Sequence, residues 1–130
     1  MQVVVREHLL VVDSSGTRQA LTDLLLDAGF DVRSVLDGVT TETVIGSTMP
    51  GAILLGLDLD HEEIPTLSTF LGLRQMAPVT AMIVLSSNTD VRTKARLLEL
   101  GADDYIVEPF EPLELLARVR SFVRRQKLWV

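Results

Sequence analysis

Short apolar runs alternate along the chain with longer segments in which apolar residues recur at helical spacing. Most of these runs are apolar at nearly every position, which is typical of a strand buried on both faces of a parallel sheet, whereas the second run includes Asp31, Arg33 and Ser34. The runs occupy residues 9–12, 30–35, 51–56, 80–85 and 105–107. The pattern therefore predicts five strands, and the run at 51–56 is expected inside the sheet.

The segments between the runs predict five helices, near residues 15–28, 38–47, 65–75, 91–98 and 112–123. Ser14 and Ser15 are expected to cap the first helix, because a side-chain oxygen can accept an otherwise unpaired backbone N–H. Gly29 and Gly101 are predicted to end the first and the fourth helix. The inner face of the fourth helix is expected at three apolar residues, Val91, Ala95 and Leu98.

The strict alternation of strands and helices predicts an α/β fold with a doubly wound, five-stranded parallel sheet. A chain of 130 residues is long enough for one buried core, and no linker or repeat divides it. We therefore expect a single domain at residues 1–125, followed by a short tail at residues 126–130.

Charge and composition narrow the possible functions. Twelve basic and eighteen acidic side chains give a net charge of −6, which argues against direct nucleic-acid binding by this domain. The absence of cysteine excludes disulfides, cysteine-ligated zinc and thiol catalysis. The apolar runs fall short of the ~20 residues that span a bilayer, and the first residues do not resemble a secretion signal. We expect a cytoplasmic protein without membrane contact.

The carboxyl ends of parallel strands are where ligands and chemistry gather, and the sequence is informative there. The central run ends at Gly56, which has no side chain. The next residues include five that could ligate a metal together with Asp13: Asp58, Asp60, His61, Glu62 and Glu63. Clustered acidic residues are more often a solvated loop than a divalent-ion site, so no metal or other cofactor is predicted.

Four blocks of the chain resemble the receiver domain of bacterial response regulators. They lie at residues 8–13, 50–55, 101–105 and 109–119, and the similarity extends over roughly residues 8–125. The Gly-Ala-Asp-Asp-Tyr block and the Pro-Phe pair at 109–110 are the most specific, and they are most similar to the OmpR/PhoB class. The resemblance implies a flavodoxin-like (βα)5 receiver fold and a role in two-component signal transduction and transcription regulation.

The resemblance also implies a chemistry, which is transfer of a phosphoryl group from a histidine kinase to an aspartate at the end of the third strand. The family uses two acidic residues after the first strand to hold Mg²⁺. It uses a Ser or Thr after the fourth strand and a Lys before the Pro-Phe pair to stabilise the charge on the phosphoryl oxygens.

At the matching positions, this chain departs from the family's pattern. Asp13 keeps the first acid and Ser86 keeps the hydroxyl, whereas Ser14 replaces the second acid. Gly56 stands at the acceptor position, and Glu108 reverses the charge of the lysine. We therefore expect a degenerate phosphorylation site with no catalytic residue, in a pseudo-receiver that is not an enzyme and acts without phosphorylation.

Two alternatives remain open at this stage. Asp58, two residues beyond the acceptor position, could accept a phosphoryl group in place of the missing aspartate. A small-molecule sensor on the same fold would instead have a pocket lined by Asp13, Ser86 and Glu108, because doubly wound folds host many functions.

Two further features follow from the resemblance. Ser86 and Tyr105 match the switch pair that couples phosphorylation to the output face in the family. The Glu108–Pro109 peptide bond is expected to be cis, as the corresponding Lys–Pro bond of the family is, and before proline the cis form costs little.

The other side of the domain matches the surface through which OmpR/PhoB-class receivers form two-fold dimers. Its charged positions are Lys94, Glu99, Asp103, Asp104, Glu114, Arg118 and Arg125. A patch with both signs can be self-complementary about a two-fold axis. We predict a homodimer through the fourth helix, the fifth strand and the fifth helix, with Val91 and Leu97 as apolar contacts at its centre.

The basic tail at residues 126–130 lies where the family's linker to an output domain begins. The resemblance therefore implies a DNA-binding output domain outside this chain, for which the receiver-like part would serve as a protein–protein interaction module.

Overall fold

The computed structural model describes residues 7–13, 15–35, 49–57 and 67–127. Its strands are β1 (His8–Val12), β2 (Asp31–Val35), β3 (Ala52–Gly56), β4 (Ala81–Ser86) and β5 (Asp104–Val107). Its helices within the described residues are α1 (Thr17–Asp27), α2 (Leu67–Met76), α3 (Val91–Glu99) and α4 (Pro112–Lys127). The helix predicted at 38–47 lies outside the described residues, and α4 continues past the predicted domain boundary at residue 125.

The five strands form one parallel sheet in the order β2-β1-β3-β4-β5. The alternation of strands and helices predicts this doubly wound sheet, and the strand order is that of the flavodoxin-like fold that the resemblance implies. Strand order reverses at β1, which pairs with β2 on one side and with β3 on the other. In such sheets, ligands bind outside the carboxyl ends of the strands near this reversal.

Successive strand residues point to opposite faces of the sheet, so both faces carry apolar side chains. Helices cover each of the two faces. On one face, Ile53 and Leu55 of β3 pack in a cluster with Phe70 of α2 and Leu97 of α3. On the other face, Ala52 and Leu54 pack in a cluster with residues of α1 and α4. Every residue of β3 is buried, which confirms the prediction that this run lies inside the sheet.

The predicted helix ends are confirmed at the two glycines. Gly29 follows α1 with a φ of 96°, and Gly101 follows α3 with a φ of 117°. The cap of α1 differs from the prediction, because its N-cap residue is Gly16 and no side chain caps it there. Ser15 instead accepts a hydrogen bond at Oγ from the N–H of Thr17, over 3.2 Å, while Ser14 lies outside the described residues.

The predicted inner face of α3 is wrong. Leu97 is 2% exposed and belongs to the core, whereas Val91 is 77% exposed and Leu98 also faces outward. Leu97 therefore cannot contribute to a surface contact between protomers, contrary to the expectation. Leu97 lies off the side that Val91, Ala95 and Leu98 share, and helical spacing alone does not tell which side of the short helix the sheet will cover.

Candidate functional site

Four of the predicted site residues lie at the carboxyl ends of four strands. Asp13 directly follows β1, Gly56 ends β3, Ser86 ends β4 and Glu108 directly follows β5. Asp13 and Ser86 are buried, at 3% and 2% exposure, and Glu108 is half-buried. The parallel sheet thus places them along one edge, while Ser14 and Asp58 lie outside the described residues.

The carboxyl group of Asp13 lies directly over Gly56. A Cβ atom at residue 56 would lie 2.5 Å from Asp13 Cγ and 2.5 Å from Asp13 Oδ2, which is far inside van der Waals contact. Asp13 Oδ1 accepts a hydrogen bond from the N–H of Ser15 at 2.8 Å, which holds the side chain in place. In the position that it takes here, the carboxyl group of Asp13 therefore stands where a β-carbon at residue 56 would lie.

Asp13 Oδ2 is buried and has no hydrogen-bond partner among the described residues. A buried carboxylate oxygen without a partner is costly, because the group has lost its water and gained nothing in exchange. This atom is the least satisfied polar group that the described part of the cleft contains.

Glu108 adds a second carboxyl group to the cleft. Burial raises the pKa of Glu108, and the nearby negative charge of Asp13 raises it further. The backbone N–H of Glu108 donates to the carbonyl of Ser86 at 2.9 Å. The Glu108–Pro109 bond is cis, as predicted. Glu108 thus stands where a cation would be needed to stabilise a phosphoryl group, and its ionised form would repel that group.

The donor set does not fit the Mg²⁺ ion that phosphoryl transfer in the family requires. Gly56 offers no side-chain oxygen, and Ser14 offers no carboxylate. Among the described residues, no group of three or more carboxylate, histidine or cysteine side chains could hold a metal ion. A hard divalent cation needs several oxygen ligands, so the described cleft lacks the protein ligands for this chemistry.

The predicted switch pair meets at Asn88. Ser86 Oγ accepts a hydrogen bond from the N–H of Asn88 at 3.1 Å, and the hydroxyl of Tyr105 donates to the carbonyl of Asn88 at 2.6 Å. Tyr105 is buried, at 4% exposure. The sequence marks Asn88 only as a turn residue, and no pattern in the chain shows that Ser86 and the distant Tyr105 bind its backbone N–H and C=O.

On the predicted dimer surface, Arg118 is paired within its own chain. Arg118 Nη1 lies 2.9 Å from Asp104 Oδ2, and Arg118 Nη2 lies 2.7 Å from Glu114 Oε1. Lys94 and Glu99 of α3 are exposed. The guanidinium of Arg125 lies 5.4 Å from the centre of the Phe122 ring. All seven predicted residues are accordingly at or near the surface of α3, of α4, of β5 or of the turn before it.

Asp103, which directly precedes β5, is hydrogen-bonded within its own chain. Its Oδ2 accepts hydrogen bonds from Arg74 Nη1 at 3.2 Å and from the N–H of Met82 at 2.7 Å. Arg74 also donates to three backbone carbonyls, those of Ala77, Thr80 and Gly101. Sequence analysis missed this arginine, whose only signal is its position in the last turn of α2.

Comparison with known proteins identifies the class of protein that this fold and cleft define. The family model of the response regulator receiver domain matches residues 9–120. The chain belongs to this family, whose receiver domains are generally non-enzymatic signalling modules.

The chain is similar to several characterised regulators. It is 35% identical over 120 residues to the transcriptional regulatory protein GltR of Pseudomonas aeruginosa, which covers 92% of this chain and 50% of GltR. It is 36% identical over 121 residues to the DNA-binding response regulator MtrA of Mycobacterium tuberculosis, which covers 92% of this chain and 52% of MtrA. The chain therefore spans about half the length of these relatives.

A solved structure supports the same fold. The crystal structure of a candidate response regulator from Chloroflexus aurantiacus superposes with a TM-score of 0.77 at 28% identity, which covers 92% of this chain and 99% of that one. Within the described ranges, no helix combines the length and the apolar character needed to cross a membrane.

Proposed function

We propose that this chain is a pseudo-receiver, which keeps the receiver fold and acts by protein–protein interaction without being phosphorylated. The observation that carries the proposal is the contact between Asp13 and Gly56. The acceptor position has no side chain, and the neighbouring carboxyl group occupies the space in which one would lie.

Electrostatics supports the same conclusion. A phosphoryl group entering the cleft would meet Asp13 and Glu108, and the pKa of Glu108 is raised, which indicates an environment that already disfavours negative charge. Phosphoryl transfer depends on positive charge aimed at the transferring oxygens. At the matching positions, Glu108 supplies a carboxyl group where the family has a lysine, and Asp13 is the only one kept of the two acids that hold the metal ion.

Mass spectrometry after incubation with acetyl phosphate and Mg²⁺ tests this proposal. We expect no gain in mass, and the same result with a histidine kinase as donor. The Asp58→Asn variant is the matched control, because Asp58 is the alternative acceptor. A gain in mass that disappears in Asp58→Asn would contradict the proposal and establish Asp58 as the acceptor.

We further propose that the chain forms a homodimer through α3, β5 and α4. Response regulators often dimerise, and the described surface supports this arrangement. A groove follows α4 along the edge of the sheet, and it is lined by Asp104, Glu114, Ala117, Arg118, Ser121, Phe122 and Arg125. Charged side chains of both signs meet there, as a self-complementary interface requires.

The apolar contact at the centre of this interface would come from Val91 and Leu113. They are 77% and 79% exposed, whereas Leu97 is in the core. Exposed ion pairs contribute little by themselves, so an interface also needs such apolar burial. In this proposal, Arg118 exchanges part of its intrachain pairing for a carboxylate of the partner.

Sedimentation velocity over a range of concentrations tests the dimer. We expect a monomer–dimer equilibrium that Arg118→Asp shifts towards monomer by at least tenfold in Kd. Arg18→Asp on α1 reverses the same charge outside the proposed interface and should leave Kd unchanged. A strict monomer at every concentration would exclude this assembly.

The proposed biological role is to position an output domain. Residues 1–125 would form the receiver-like unit, and residues 126–130 would begin the linker, since the relatives extend to about twice the matched length. Transcription regulation by a DNA-binding domain outside this chain follows from this proposal. The length of the natural gene product beyond Val130 tests it directly.

A further inference from the structure

In the loop between β4 and α3, the backbone N–H and the backbone C=O of Asn88 are each hydrogen-bonded to a side chain. The N–H of Asn88 donates to Ser86 Oγ, and the carbonyl of Asn88 accepts from the hydroxyl of Tyr105. Ser86 and Tyr105 are both buried. Because water has little access to these bonds, each is stronger than the same bond at the surface.

A second set of bonds continues from Asn88 to α3. Asn88 Oδ1 accepts from the N–H of Asp90 at 2.9 Å, and Asp90 Oδ1 accepts from the N–H of Arg92 at 2.8 Å. Asp90 is the N-cap residue of α3, where its backbone is extended. An unbroken series of hydrogen bonds thus joins the end of β4 to the first turn of α3.

The ends of the two flanking strands are also fixed to each other. Ser86 is paired with Val107 in the sheet, and the carbonyl of Ser86 accepts from the N–H of Glu108 at 2.9 Å. The backbones of Ser86 and Tyr105 are therefore fixed relative to each other by the pairing of β4 with β5. The bonds of their side chains to Asn88 are what tie the loop to this part of the sheet.

We propose that Asn88 is the positioning residue that holds α3 in a single arrangement, so that the output face is set without any group in the cleft. This inference rests on the proposed pseudo-receiver function and adds the means by which its surface is kept constant. A two-state switch needs two arrangements of similar free energy. Here one arrangement uses the peptide N–H, the peptide C=O and the side-chain oxygen of Asn88 together.

Amide hydrogen exchange measured by NMR tests this role. In Asn88→Ala, the amide of Asp90 loses its acceptor, and we expect the amides of Asp90 and Arg92 to exchange at least tenfold faster. Asn88→Asp keeps an oxygen at the same place and should restore the protection. Ser87→Ala, at the exposed neighbouring position, should change nothing, and the amides of α1 report that every variant is folded.

Tyr105→Phe provides an independent variant, because it removes the bond to the Asn88 carbonyl and leaves every side chain of the loop intact. We expect the same increase at Asp90 and Arg92, and no further increase when Tyr105→Phe is combined with Asn88→Ala. Unchanged exchange in Tyr105→Phe and in Asn88→Ala would overturn the proposal, as would additive effects in the double variant.

The two proposals fail separately. A gain in mass with acetyl phosphate would overturn the pseudo-receiver function whatever the exchange rates show. Unchanged exchange in the variants, together with an unchanged mass, would overturn only the role of Asn88.

Discussion

The carboxyl group of Asp13 and the α-carbon of Gly56 are in such close contact that no β-carbon fits between them. Asp13 is buried and its Oδ1 accepts a hydrogen bond from the backbone N–H of Ser15, so a side chain at position 56 would require its carboxyl group to shift. The two residues come from adjacent strands, β1 and β3. A side chain added at position 56 and the carboxyl group of Asp13 therefore compete for the same space.

Restoring the acceptor aspartate should not restore phosphorylation. In Gly56→Asp, a second carboxyl group must enter space that Asp13 fills, and overpacking of this kind typically costs about 1–3 kcal/mol. We expect a lower midpoint in urea denaturation and no gain in mass with acetyl phosphate. Gly56→Ala adds only the methyl group, so it isolates the steric part. Wild-type stability of Gly56→Ala would show that Asp13 can move away freely.

Glu108 should make the domain less stable as the pH rises. The folded state raises the pKa of Glu108, so it holds this proton more tightly than the unfolded state does. The stabilisation is present at low pH and is lost as the pH rises through the raised pKa. At neutral pH, Glu108→Gln should therefore raise Tm, and the difference should vanish in acid. Thermal melts between pH 4 and 8 measure this, with the exposed Glu111→Gln as control. A lower Tm for Glu108→Gln at pH 7 would contradict the assignment.

Truncation of Arg74 should destabilise the fold more than truncation of an ordinary surface residue does. Its guanidinium binds Asp103 and three carbonyls, and an unpaired group left after truncation costs about 1–3 kcal/mol. We expect Arg74→Ala to reduce the free energy of unfolding by about 3 kcal/mol in urea titrations. Arg92→Ala removes an exposed guanidinium of α3 and should cost less than about 0.5 kcal/mol. Equal effects of the two variants would show that the contacts of Arg74 do not stabilise the fold.

Arg118 should matter for association and little for the folding of one chain. Its pairs with Asp104 and Glu114 are exposed, and such pairs typically contribute about 1 kcal/mol or less. We expect Arg118→Ala to lower the free energy of unfolding of the monomer by no more than this amount, as measured by urea titration at a low protein concentration. A much larger loss would mean that weaker dimerisation of an Arg118 variant reflects unfolding.

The sequence predicts the order and the type of the described elements, because buried strands and glycine-ended helices depend on local pattern. The φ values of Gly29 and Gly101 agree with the stops expected there. The orientation of α3 was not predictable, since the spacing of Val91, Ala95 and Leu98 indicates one inner side whereas the fold buries Leu97 on another. Leu97 is the inward residue because it packs in one cluster with side chains of α2 and β5.

In the cleft too, the positions of residues along the chain could be predicted, whereas the contacts between residues from different elements could not. The positions of Gly56 and Glu108 at strand ends follow from the sequence. The contact of Asp13 with Gly56 depends on a side-chain rotamer and on the register between β1 and β3. The hydroxyl of Tyr105 reaches Asn88, 17 positions earlier in the chain, and no periodicity encodes such a bond.

The bonds of Arg74 all lie at the amino ends of β4 and β5, opposite the edge where Asp13, Gly56 and Glu108 stand. The contacts that stabilise the fold around Arg74 are thus at the amino ends of the strands, and the candidate site is at their carboxyl ends. Because the contacts of Arg74 are remote from the carboxyl ends of the strands, we expect them to keep the scaffold folded whichever side chains occupy that edge.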